Sequence, residues 1–284
     1  MPELPEVETM RRGIAGVIGS QIRAIVRPRS KLKPIEISPA LPRFRRRAVG
    51  RTILDTGRVG KRLVLQLDRG DAIVIEPRMT GLVLVADPPN REHLRLGFSL
   101  AGGVPEFWFW DQRGLGSVRL VSADEFTGRY GPDQIGPDAL HISSEELAAR
   151  LGRSRREIKV ALLDQKAVAG VGNLYASELL HRAGIHPRRP CDRLHGDEWR
   201  RLQAAMRQVL EEAILYEGST LSDGTYRNAL NHSGSYQHQH RVYDRAGEAC
   251  RTCDGRIVRI VQCQRSSFFC PNCQPLRRVR QAKA

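Results

Sequence analysis

The sequence has no apolar run of the length that crosses a membrane. Its first residues are acidic and contain proline, whereas a secretory signal begins with basic and then apolar residues. It also lacks internal repeats and long low-complexity segments. From these absences we expect a protein of the cytoplasm without a membrane partner. With 284 residues and a hydrophobic content of 40%, the chain can form two ordinary domains or one large domain with appendages.

Cysteine is scarce, and its spacing is informative. Four of the six cysteines form two Cys-x-x-Cys pairs with sixteen residues between them, namely Cys250, Cys253, Cys270 and Cys273. In a reducing compartment such pairs indicate metal ligands rather than disulfides, although redox or disulfide cysteines are the alternative. Four thiolates leave no open coordination position, so the spacing predicts one structural Zn²⁺. Cys191 and Cys263 have no assigned role.

Positive charge is in excess. The 46 Lys and Arg residues against 31 Asp and Glu give a formal net charge of +15, and Arg43, Arg45, Arg46 and Arg47 form a cluster. This balance favours a polyanionic partner. The alternative is a soluble basic protein from an organism whose proteins are rich in arginine.

The N-terminus, Met1-Pro2-Glu3-Leu4-Pro5-Glu6-Val7-Glu8-Thr9, places a secondary amine beside carboxylates if Met1 is removed. An α-amino group titrates near about pH 8, so part of it is nucleophilic at neutral pH. Such an amine can attack a sugar carbon and form an iminium, and Glu3 can transfer the protons that ring opening requires. Alternatively, proline followed by acids is an ordinary helix start.

The first part of the chain, to about residue 136, alternates apolar runs with Gly, Pro and Asp turns, which predicts a β-sandwich-like domain. Only the segment from about Pro5 to Val17 is expected to be helical there. The predicted strands are Thr52 to Leu54, Leu63 to Leu67, Ala72 to Ile75, Leu82 to Val85, Phe107 to Trp110 and Val118 to Val121.

Beyond Gly136-Pro137 the apolar spacing becomes helical. Ser143 to Glu146 predicts a capping box, and Trp199 to Ile214 predicts a long amphipathic helix before Gly218. Between the helices, Ala169-Gly170-Val171-Gly172-Asn173 is a glycine turn that suits phosphate binding, and a simple helix connection is an equal alternative.

The last part of the chain predicts a β-hairpin within the zinc module. Ile257, Val258 and Ile260 precede a turn near Arg265, and Phe268-Phe269 follow it. The segment Gln264-Arg265-Ser266-Ser267 at the tip of the hairpin presents an arginine whose donors suit a phosphate. The alternative is that Arg265 is only a solvated arginine.

Three separated segments together resemble the formamidopyrimidine-DNA glycosylases. They are the N-terminus, Val168 to Glu178, and Gln264 to Cys273. The resemblance is closer than to the related endonuclease VIII, which usually has Gly where this chain has Leu4. It implies an α+β multidomain fold, with an N-terminal two-layer β-sandwich and helix (residues 1–136), a helix-two-turn-helix domain (137–238) and a β-hairpin zinc finger (239–284).

The resemblance also implies catalytic roles. Pro2 is the Schiff-base nucleophile at the deoxyribose C1′, and Glu3 is the general acid that opens the sugar. Lys61 matches a hairpin lysine assigned to proton transfer in β-elimination, although a solvated turn lysine is the alternative. Arg265 matches the zinc-finger arginine that grips the phosphates beside the lesion and is assigned to δ-elimination.

Further residues are assigned DNA contacts by the same resemblance. Extruding a base leaves a gap that the protein must fill, and Met79 and Arg113 match two of the family residues that fill it. Leu115 replaces the family's aromatic wedge. The other assigned contacts are Glu6, Arg91, His93, Lys159, Asn173 and Tyr243.

Several positions depart from the family pattern. Gln112, Gly114 and Leu115 alter the wedge loop, Arg91 stands at the expected place of a histidine, and the segment Asn228 to Tyr236, which matches the loop over the flipped base, is unusual. These departures bear on lesion preference more than on chemistry.

We therefore expect a bifunctional DNA glycosylase and apurinic/apyrimidinic lyase of base excision repair, acting in the bacterial cytoplasm on nucleoid DNA. Its expected substrate is double-stranded DNA with 8-oxoguanine or formamidopyrimidines, and it is expected to be a monomer. Oxidised pyrimidines or hydantoins are the alternative substrates. A zinc-containing damage binder without catalysis is the alternative class, and a zinc-finger regulator is disfavoured because no recognition helix is evident in the zinc module.

Overall fold

The computed structural model describes residues 2–276, which form two compact units. The first unit is Met1–Ile135 with Glu211–His238, and the second is Gly136–Leu210 with Gln239–Ala284. The division of the chain after residues 136 and 238 stays a prediction. No helix among the described residues combines the length and apolarity needed to cross a membrane.

Among its described residues, the first unit contains nine strands, three complete α-helices and the end of a further helix, with short 3₁₀ turns between them. The strands are β1 (Gln21–Val26), β2 (Glu36–Ser38), β3 (Ile53–Val59), β4 (Arg62–Leu67), β5 (Ala72–Glu76), β6 (Gly81–Leu84), β7 (Leu94–Ala101), β8 (Glu106–Asp111) and β9 (Ser117–Val121). The helices are α1 (Leu4–Gly13), α2 (Leu41–Ala48) and α3 (Ala123–Tyr130).

The strands form two sheets, in the orders β1-β7-β8-β6 and β2-β9-β5-β4-β3. All neighbouring strands are antiparallel except β2 and β9. In the five-stranded sheet, alternate residues of β4 and β5 point into the apolar core. In β4, for example, Leu63 and Leu65 are in that core, whereas Val64 lies on the outer face under α3. The predicted strands are confirmed, and β1, β2 and β7 are additional.

The expectation that only the opening segment of this part is helical was wrong, because α2 and α3 are helices as well. In α2, Phe44 and Ala48 are the buried residues, and arginines occupy most other positions. Two apolar residues are too few to show a helical period, so the segment was interpreted only as a basic cluster. Helix α3 is capped by Ser122, whose hydroxyl accepts the Glu125 N–H at 3.3 Å.

The second unit consists of helices and one small sheet. Its helices are α4 (Ser144–Leu151), α5 (Ile158–Leu162), α6 (Asn173–Ala183) and α7 (Gly196–Leu215), and its strands are β10 (Val258–Gln262) and β11 (Arg265–Phe269). The residues of α7 from Glu211 onward belong to the first unit. Ser143 caps α4 as expected, since its hydroxyl accepts the Glu146 N–H at 3.1 Å. Strands β10 and β11 form the expected antiparallel hairpin.

Candidate nucleic-acid interface and metal centre

The start of α1 is fixed by a reciprocal capping interaction. Pro2 is buried, and Glu3 is the N-cap residue with only 3% of its surface exposed. The Glu3 N–H donates to Glu6 Oε2 at 2.8 Å, while the Glu3 side chain accepts from the Glu6 backbone. Proline near the helix start and an acid in the first turn favour this geometry. Met1, whose removal the proposed chemistry needs, lies outside the described residues.

The other carboxylate oxygen of Glu6 holds a loop far away in sequence. Oε1 accepts the Ser219 N–H at 2.9 Å, across 213 residues of chain. Gly218 has a φ of +81°, and a Cβ there would come within 2.9 Å of Glu6 Oε1, so glycine is required. Tyr226, buried in the core of the unit, donates its hydroxyl to Glu217 O at 3.0 Å, and burial raises its pKa well above the usual value. The segment after Gly218 is therefore tied to the residues beside Pro2.

A cluster of charges around Glu8 joins α1 to the β3–β4 hairpin. The Glu8 carboxylate accepts from Arg11 at 2.7 Å and Arg12 at 2.8 Å on its own helix, and from Arg58 of β3 at 3.3 Å. Arg11 also donates to Thr56 O of β3 at 3.1 Å. Burial opposes ionisation of Glu8, but the hydrogen bonds and charges of the arginines outweigh it and lower the pKa to about 2. Glu8 is thus an ionised carboxylate that connects α1 to β3. Its partners were not predicted from the sequence.

Lys61 lies in the turn of this hairpin, as the resemblance implies. The turn joins β3 to β4, and Gly60 has a φ of +55°. Arg58 donates to Gly60 O at 2.8 Å, so the turn is connected to Glu8 and hence to α1. Lys61 is half-buried.

Buried Asp111, at the end of β8, organises two neighbouring turns. Its Oδ1 accepts the Thr80 hydroxyl at 2.5 Å, and its Oδ2 accepts the Gly116 N–H at 2.8 Å. The Thr80 hydroxyl oxygen in turn accepts the Arg113 N–H at 3.0 Å. The turn that carries Met79 is therefore fixed against the turn that carries Arg113. Neither Asp111 nor Thr80 was predicted; the only signal was a polar residue at the end of an apolar strand.

The three predicted gap-filling side chains all lie on the surface of these turns. Met79 is 37% exposed, Leu115 is 42% exposed and Arg113 is exposed. Gly114 between them has a φ of +62°, and a Cβ there would come within 2.8 Å of Lys33 O, so this position of the loop requires glycine. Exposed apolar side chains on rigid turns are suited to insertion between bases.

The predicted contacts Arg91 and His93 lie in the segment before β7. Arg91 is exposed, whereas the His93 ring packs on Trp110 at 5.4 Å between centroids and its Nδ1 is 2.8 Å from Asn90 Oδ1. His93 O accepts the Asp111 N–H at 2.9 Å, which places this segment beside the two turns organised by Asp111.

These features share one end of the sandwich, which we call the turn edge. The register pairs Gly81 with Asp111, and Glu76 with Ser117. The turns between these strand ends, residues 77–80 and 112–116, therefore lie at that end, with residues 90–93 beside them and the Lys61 turn at the start of β4. The first unit thus brings together the predicted residues Lys61, Met79, Arg91, His93, Arg113 and Leu115.

In the second unit, Lys159 is 1% exposed and lies at the centre of a polar cluster. Its Nζ donates to Asn173 Oδ1 at 2.7 Å, Ser266 O at 2.8 Å and Ser267 Oγ at 2.7 Å. Asn173 begins α6 directly after the N-cap Gly172. The structure therefore places Lys159 as a buried link between the start of α6 and the zinc hairpin, whereas Asn173 is half-exposed.

Arg265 lies directly beside this link, at the start of β11. It is exposed, and the two residues before it, Cys263 and Gln264, form the hairpin turn with φ values of +45° and +61°. Two positive φ values are typical of a tight turn whose twist matches the strands. Arg265 is therefore an exposed cation on a hairpin that Lys159 links to α6.

Glu178 of α6 fixes the segment that carries Tyr243. Its buried carboxylate accepts the N–H groups of Arg241, Val242 and Tyr243 at 2.9, 3.0 and 2.7 Å. Burial raises the pKa of Glu178 against the effect of these hydrogen bonds. The half-exposed Tyr243 ring then packs edge-on against Phe268, with 5.2 Å between centroids.

The four paired cysteines converge as predicted. Their sulfur atoms all lie within 4.8 Å of one another, and Cys253 Sγ is 3.4 Å from Cys270 Sγ. That separation is too long for a disulfide and fits thiolates around a tetrahedral Zn²⁺. Cys250 Sγ lies 3.5 Å from Nε2 of buried His181 on α6. When Cys250 binds zinc as a thiolate, it has no hydrogen to donate, and the imidazole N–H of His181 is then the donor to this metal ligand.

Family models match three segments of the chain. The formamidopyrimidine-DNA glycosylase N-terminal domain matches residues 1–118, and the H2TH domain of the same enzymes matches residues 134–225. A zinc finger found in FPG and IleRS matches residues 247–276, which contain all four thiols. The predicted structural zinc site is therefore confirmed.

Similar proteins align over almost the whole chain. A formamidopyrimidine-DNA glycosylase of Chloroflexus aggregans is 40% identical over 97% of this chain and 99% of its own length. The MutM (FPG) crystal structure of Thermus thermophilus is 37% identical, with a TM-score of 0.83, and covers 96% of this chain and 98% of that one.

Two structures of Lactococcus lactis Fpg contain damaged DNA, and both are 29% identical over 96% of this chain. The complex with a Fapy-dG containing DNA has a TM-score of 0.82 and is covered over 100% of its chain. The complex with an abasic site containing DNA has a TM-score of 0.83 and is covered over 99%.

These matches confirm the predicted fold class of sandwich, helix-two-turn-helix domain and zinc finger. Since the models cover most of the sequence and the relatives align along nearly all of it, the chain belongs to the formamidopyrimidine-DNA glycosylase family.

Proposed function

We propose that the protein is a bifunctional DNA glycosylase and lyase that removes formamidopyrimidines and 8-oxoguanine from double-stranded DNA. The observation that carries this proposal is the start of α1, where Glu3 is held by Glu6 directly after the buried Pro2, on a helix that packs in the sandwich core. A rigid N-terminal amine beside a carboxylate has no use in simple binding, whereas it suits covalent catalysis.

The chemistry requires that Met1 be removed, so that Pro2 has a free secondary amine. The Pro2 nitrogen attacks C1′ of the deoxyribose, the bond from C1′ to the base breaks, and the base leaves with a proton. Loss of the ring oxygen from C1′ gives an iminium between Pro2 and the opened sugar, and Glu3 supplies the proton to that oxygen.

Strand cleavage follows from the iminium, which acidifies the proton at C2′. Its removal expels the 3′ phosphate in β-elimination, and a second elimination expels the 5′ phosphate. We assign the first proton transfer to Lys61, in the turn of the β3–β4 hairpin, and the second elimination to Arg265, an exposed cation beside the turn of the β10–β11 hairpin. An arginine fork binds a phosphate through paired N–H donors, which keeps the leaving group in place.

Base extrusion is assigned to the turn edge. Met79, Arg113 and Leu115 fill the gap in the duplex, and Arg91 and His93 contact DNA nearby. In the second unit, Asn173 and Tyr243 contact the backbone, while Lys159 orients Asn173 and the strand that carries Arg265. Glu6 acts near the lesion by fixing both Glu3 and the loop at Ser219.

The zinc ion supplies no reaction step. When bound to Cys250, Cys253, Cys270 and Cys273, it is a structural cross-link with a filled coordination shell. The residues of the hairpin then hold Arg265 in position.

The altered wedge supports a second substrate class. Leu115 is smaller than an aromatic wedge, and Tyr226 and Ala229 in the loop after Gly218 pack in the sandwich core. These features favour a test of oxidised pyrimidines and hydantoins beside oxidised purines.

We also propose that the protein acts as a monomer on the nucleoid of a bacterial cytoplasm.

The test is excision and strand cleavage from one duplex sequence that carries formamidopyrimidine, 8-oxoguanine, an oxidised pyrimidine or a hydantoin in turn. We expect the purine lesions to be cut fastest and the cleaved end to carry a phosphate on both sides of the gap. A Pro2→Gly variant, freed of Met1, should lose cleavage and keep DNA binding. Equal binding without excision of any lesion would favour the non-catalytic alternative.

A further inference from the structure

A cavity of about 200 Å³ opens on the first unit, between helices α2 and α3 over strands β2 and β9. Four arginines line it, together with Glu125 and the backbone around Ser38 and Pro39; they are Arg43, Arg47, Arg119 and Arg129. Nothing in the proposed glycosylase chemistry uses this cavity.

Two of these arginines are held in place by ion pairs with carboxylates that do not line the cavity. Arg47 donates to both oxygens of Asp71, at 3.2 and 2.9 Å, and Arg119 pairs with Glu36 at 2.7 Å. Their guanidinium groups are thereby oriented before any ligand arrives, which reduces the entropy lost on binding.

The other two arginines are available. Arg43 and Arg129 are exposed, and their side chains make no hydrogen bond or ion pair within residues 2–276. The nearby carboxylate of Glu125 is already engaged, since it accepts the Ser122 N–H at 2.9 Å. With Asp71 and Glu36 each neutralising one guanidinium, two cations face this single carboxylate. The first turn of α2, which begins beside Pro39, has neither an acidic residue nor a side-chain cap.

The cavity lies on the outer face of the five-stranded sheet, from the middle of β9 at Arg119 to the end of β9 at Val121, which is the end opposite the turn edge. Val118 and Leu120 point into the core, so Arg119 and Val121 face outward on β9. Val121 pairs with Ala72, next to Asp71, whereas Ser117 pairs with Glu76 at the turn edge. At about 3.3 Å per residue, Val121 lies about 13 Å from Ser117 along the strand, and Arg119 lies about half as far. The cavity is therefore distinct from the place where Lys61, Met79 and Arg113 lie.

We propose that this cavity is a second phosphate-binding site, which holds a backbone phosphate of a nucleic acid segment other than the one at the turn edge. Four guanidinium groups around a small cavity match the fork geometry of a tetrahedral oxyanion. The chain has a net charge of +15 and acts on DNA, so phosphate groups of a nucleic acid backbone accumulate around it. We therefore take the nucleic acid backbone as the source of the phosphate. The inference rests on the proposed function only in taking DNA as the polyanion.

The test compares two double variants of equal charge. Arg43→Gln/Arg129→Gln removes the available cations of the cavity, and the matched control Arg23→Gln/Arg46→Gln removes two exposed arginines outside its lining. None of the four side chains has a hydrogen-bond partner within the described residues, so both variants should melt at the wild-type temperature. The first arm titrates inorganic phosphate at constant ionic strength and follows arginine N–H resonances. The second arm measures the dependence of undamaged-duplex binding on salt concentration.

We expect saturable phosphate binding in the wild type and in the control, and its loss in the cavity variant. The slope of log affinity against log salt should fall by about 0.9 in the cavity variant for one lost phosphate contact, relative to the control. Phosphate binding with an unchanged slope would keep the anion site and assign it to free phosphate. Equal behaviour of the two variants in both arms would overturn the inference.

The same proteins separate this inference from the proposed function. Cleavage of a short abasic-site duplex should be unchanged in both double variants, because the cavity lies away from the turn edge. If the wild type cleaves no lesion yet binds phosphate in the cavity, the proposed function fails and the second site stands. If cleavage is normal and the cavity variant matches the control, only the second site fails.

Discussion

Two of the proposed catalytic cations lie on β-hairpins, Lys61 in the turn between β3 and β4 and Arg265 beside the turn between β10 and β11. The two hairpins are stabilised in different ways. The first hairpin belongs to a five-stranded sheet whose inner face lies in a large apolar core. The second is a two-stranded sheet over a small cluster that includes Val242, Ile257 and Phe268.

An isolated two-stranded hairpin is marginally stable in water, so the second must gain its stability elsewhere. It has the four thiols at its base and the buried Lys159 bonded to Ser266 and Ser267. The comparison teaches that the position of Lys61 depends on apolar burial and on Glu8, whereas that of Arg265 depends on a metal and one buried cation.

The largest expected effect comes from removing a zinc ligand. Cys253→Ser should lower zinc affinity by more than about 100-fold, since changes to outer partners alone cost about 10 to 100-fold. Amide exchange in β10 and β11 should become fast while exchange in β3 and β4 stays slow. Zinc content and hydrogen exchange measure this. The matched control is Cys263→Ser, an exposed cysteine at the hairpin turn outside the thiol cluster; equal damage from both variants would contradict the account.

The next effect concerns the buried cation. Lys159→Met should destabilise the second unit by about 3 kcal/mol, because it leaves the buried Ser267 Oγ without its donor and removes the hydrogen bonds to Asn173 Oδ1 and Ser266 O. Binding of abasic-site DNA should also weaken, although Lys159 itself is buried. Denaturant unfolding and DNA titration check both effects, with the exposed Lys166→Met as control. Normal stability with weakened DNA binding would instead make Lys159 a direct DNA contact.

On the first hairpin, Glu8→Gln should destabilise the protein by about 2 kcal/mol, between the values for exposed and fully buried ion pairs. Arg58 and Arg11 would lose the carboxylate that ties β3 to α1. Chemical denaturation measures the change, with Glu92→Gln at an exposed position as control. A smaller loss than in the control would show that the apolar core alone positions the Lys61 turn.

The same carboxylate predicts a pH dependence. The pKa of Glu8 is lowered from 4.5 to about 2 on folding, so its stabilisation is complete above about pH 4.5 and is lost as the pH falls through 2. As the pH is lowered from about 6 to about 2, the free energy of unfolding should fall more steeply in the wild type than in Glu8→Gln. Parallel curves for the two proteins would contradict the assignment.

The smallest effect is expected at His181. His181→Phe keeps an aromatic ring and removes the N–H donor to Cys250 Sγ, so zinc release to a colorimetric chelator should quicken about tenfold while the fold is retained. His141→Phe, at an exposed position, should release zinc at the wild-type rate. Unchanged release from His181→Phe would mean that the thiolates alone set the stability of the site.

The sequence predicted what is local and missed what is distant. Spacing alone predicted the four zinc ligands, and the pattern of apolar residues predicted a turn near Arg265, which lies directly before that residue. The place of Lys61 in a hairpin came from the resemblance. The link from Glu6 to Ser219 spans 213 residues, and the one from Thr80 to Asp111 spans 31, so no periodicity reveals either. Only tertiary packing brings such residues together.

Lys159 illustrates the same limit within a helix. Its neighbours Ile158, Ala161 and Leu162 predicted a buried face, but the sequence does not tell whether a lysine on that segment reaches solvent or interior acceptors. Helix α2 was missed because its arginines outnumber its apolar residues.

The most direct test of the account is borohydride trapping on duplexes that carry 8-oxoguanine or an abasic site, followed by peptide mapping of the adduct. The account predicts a covalent adduct on both duplexes, located at the nitrogen of Pro2 in protein that lacks Met1. An adduct on Lys61 instead, or none on either duplex with Met1 shown to be absent, would contradict it.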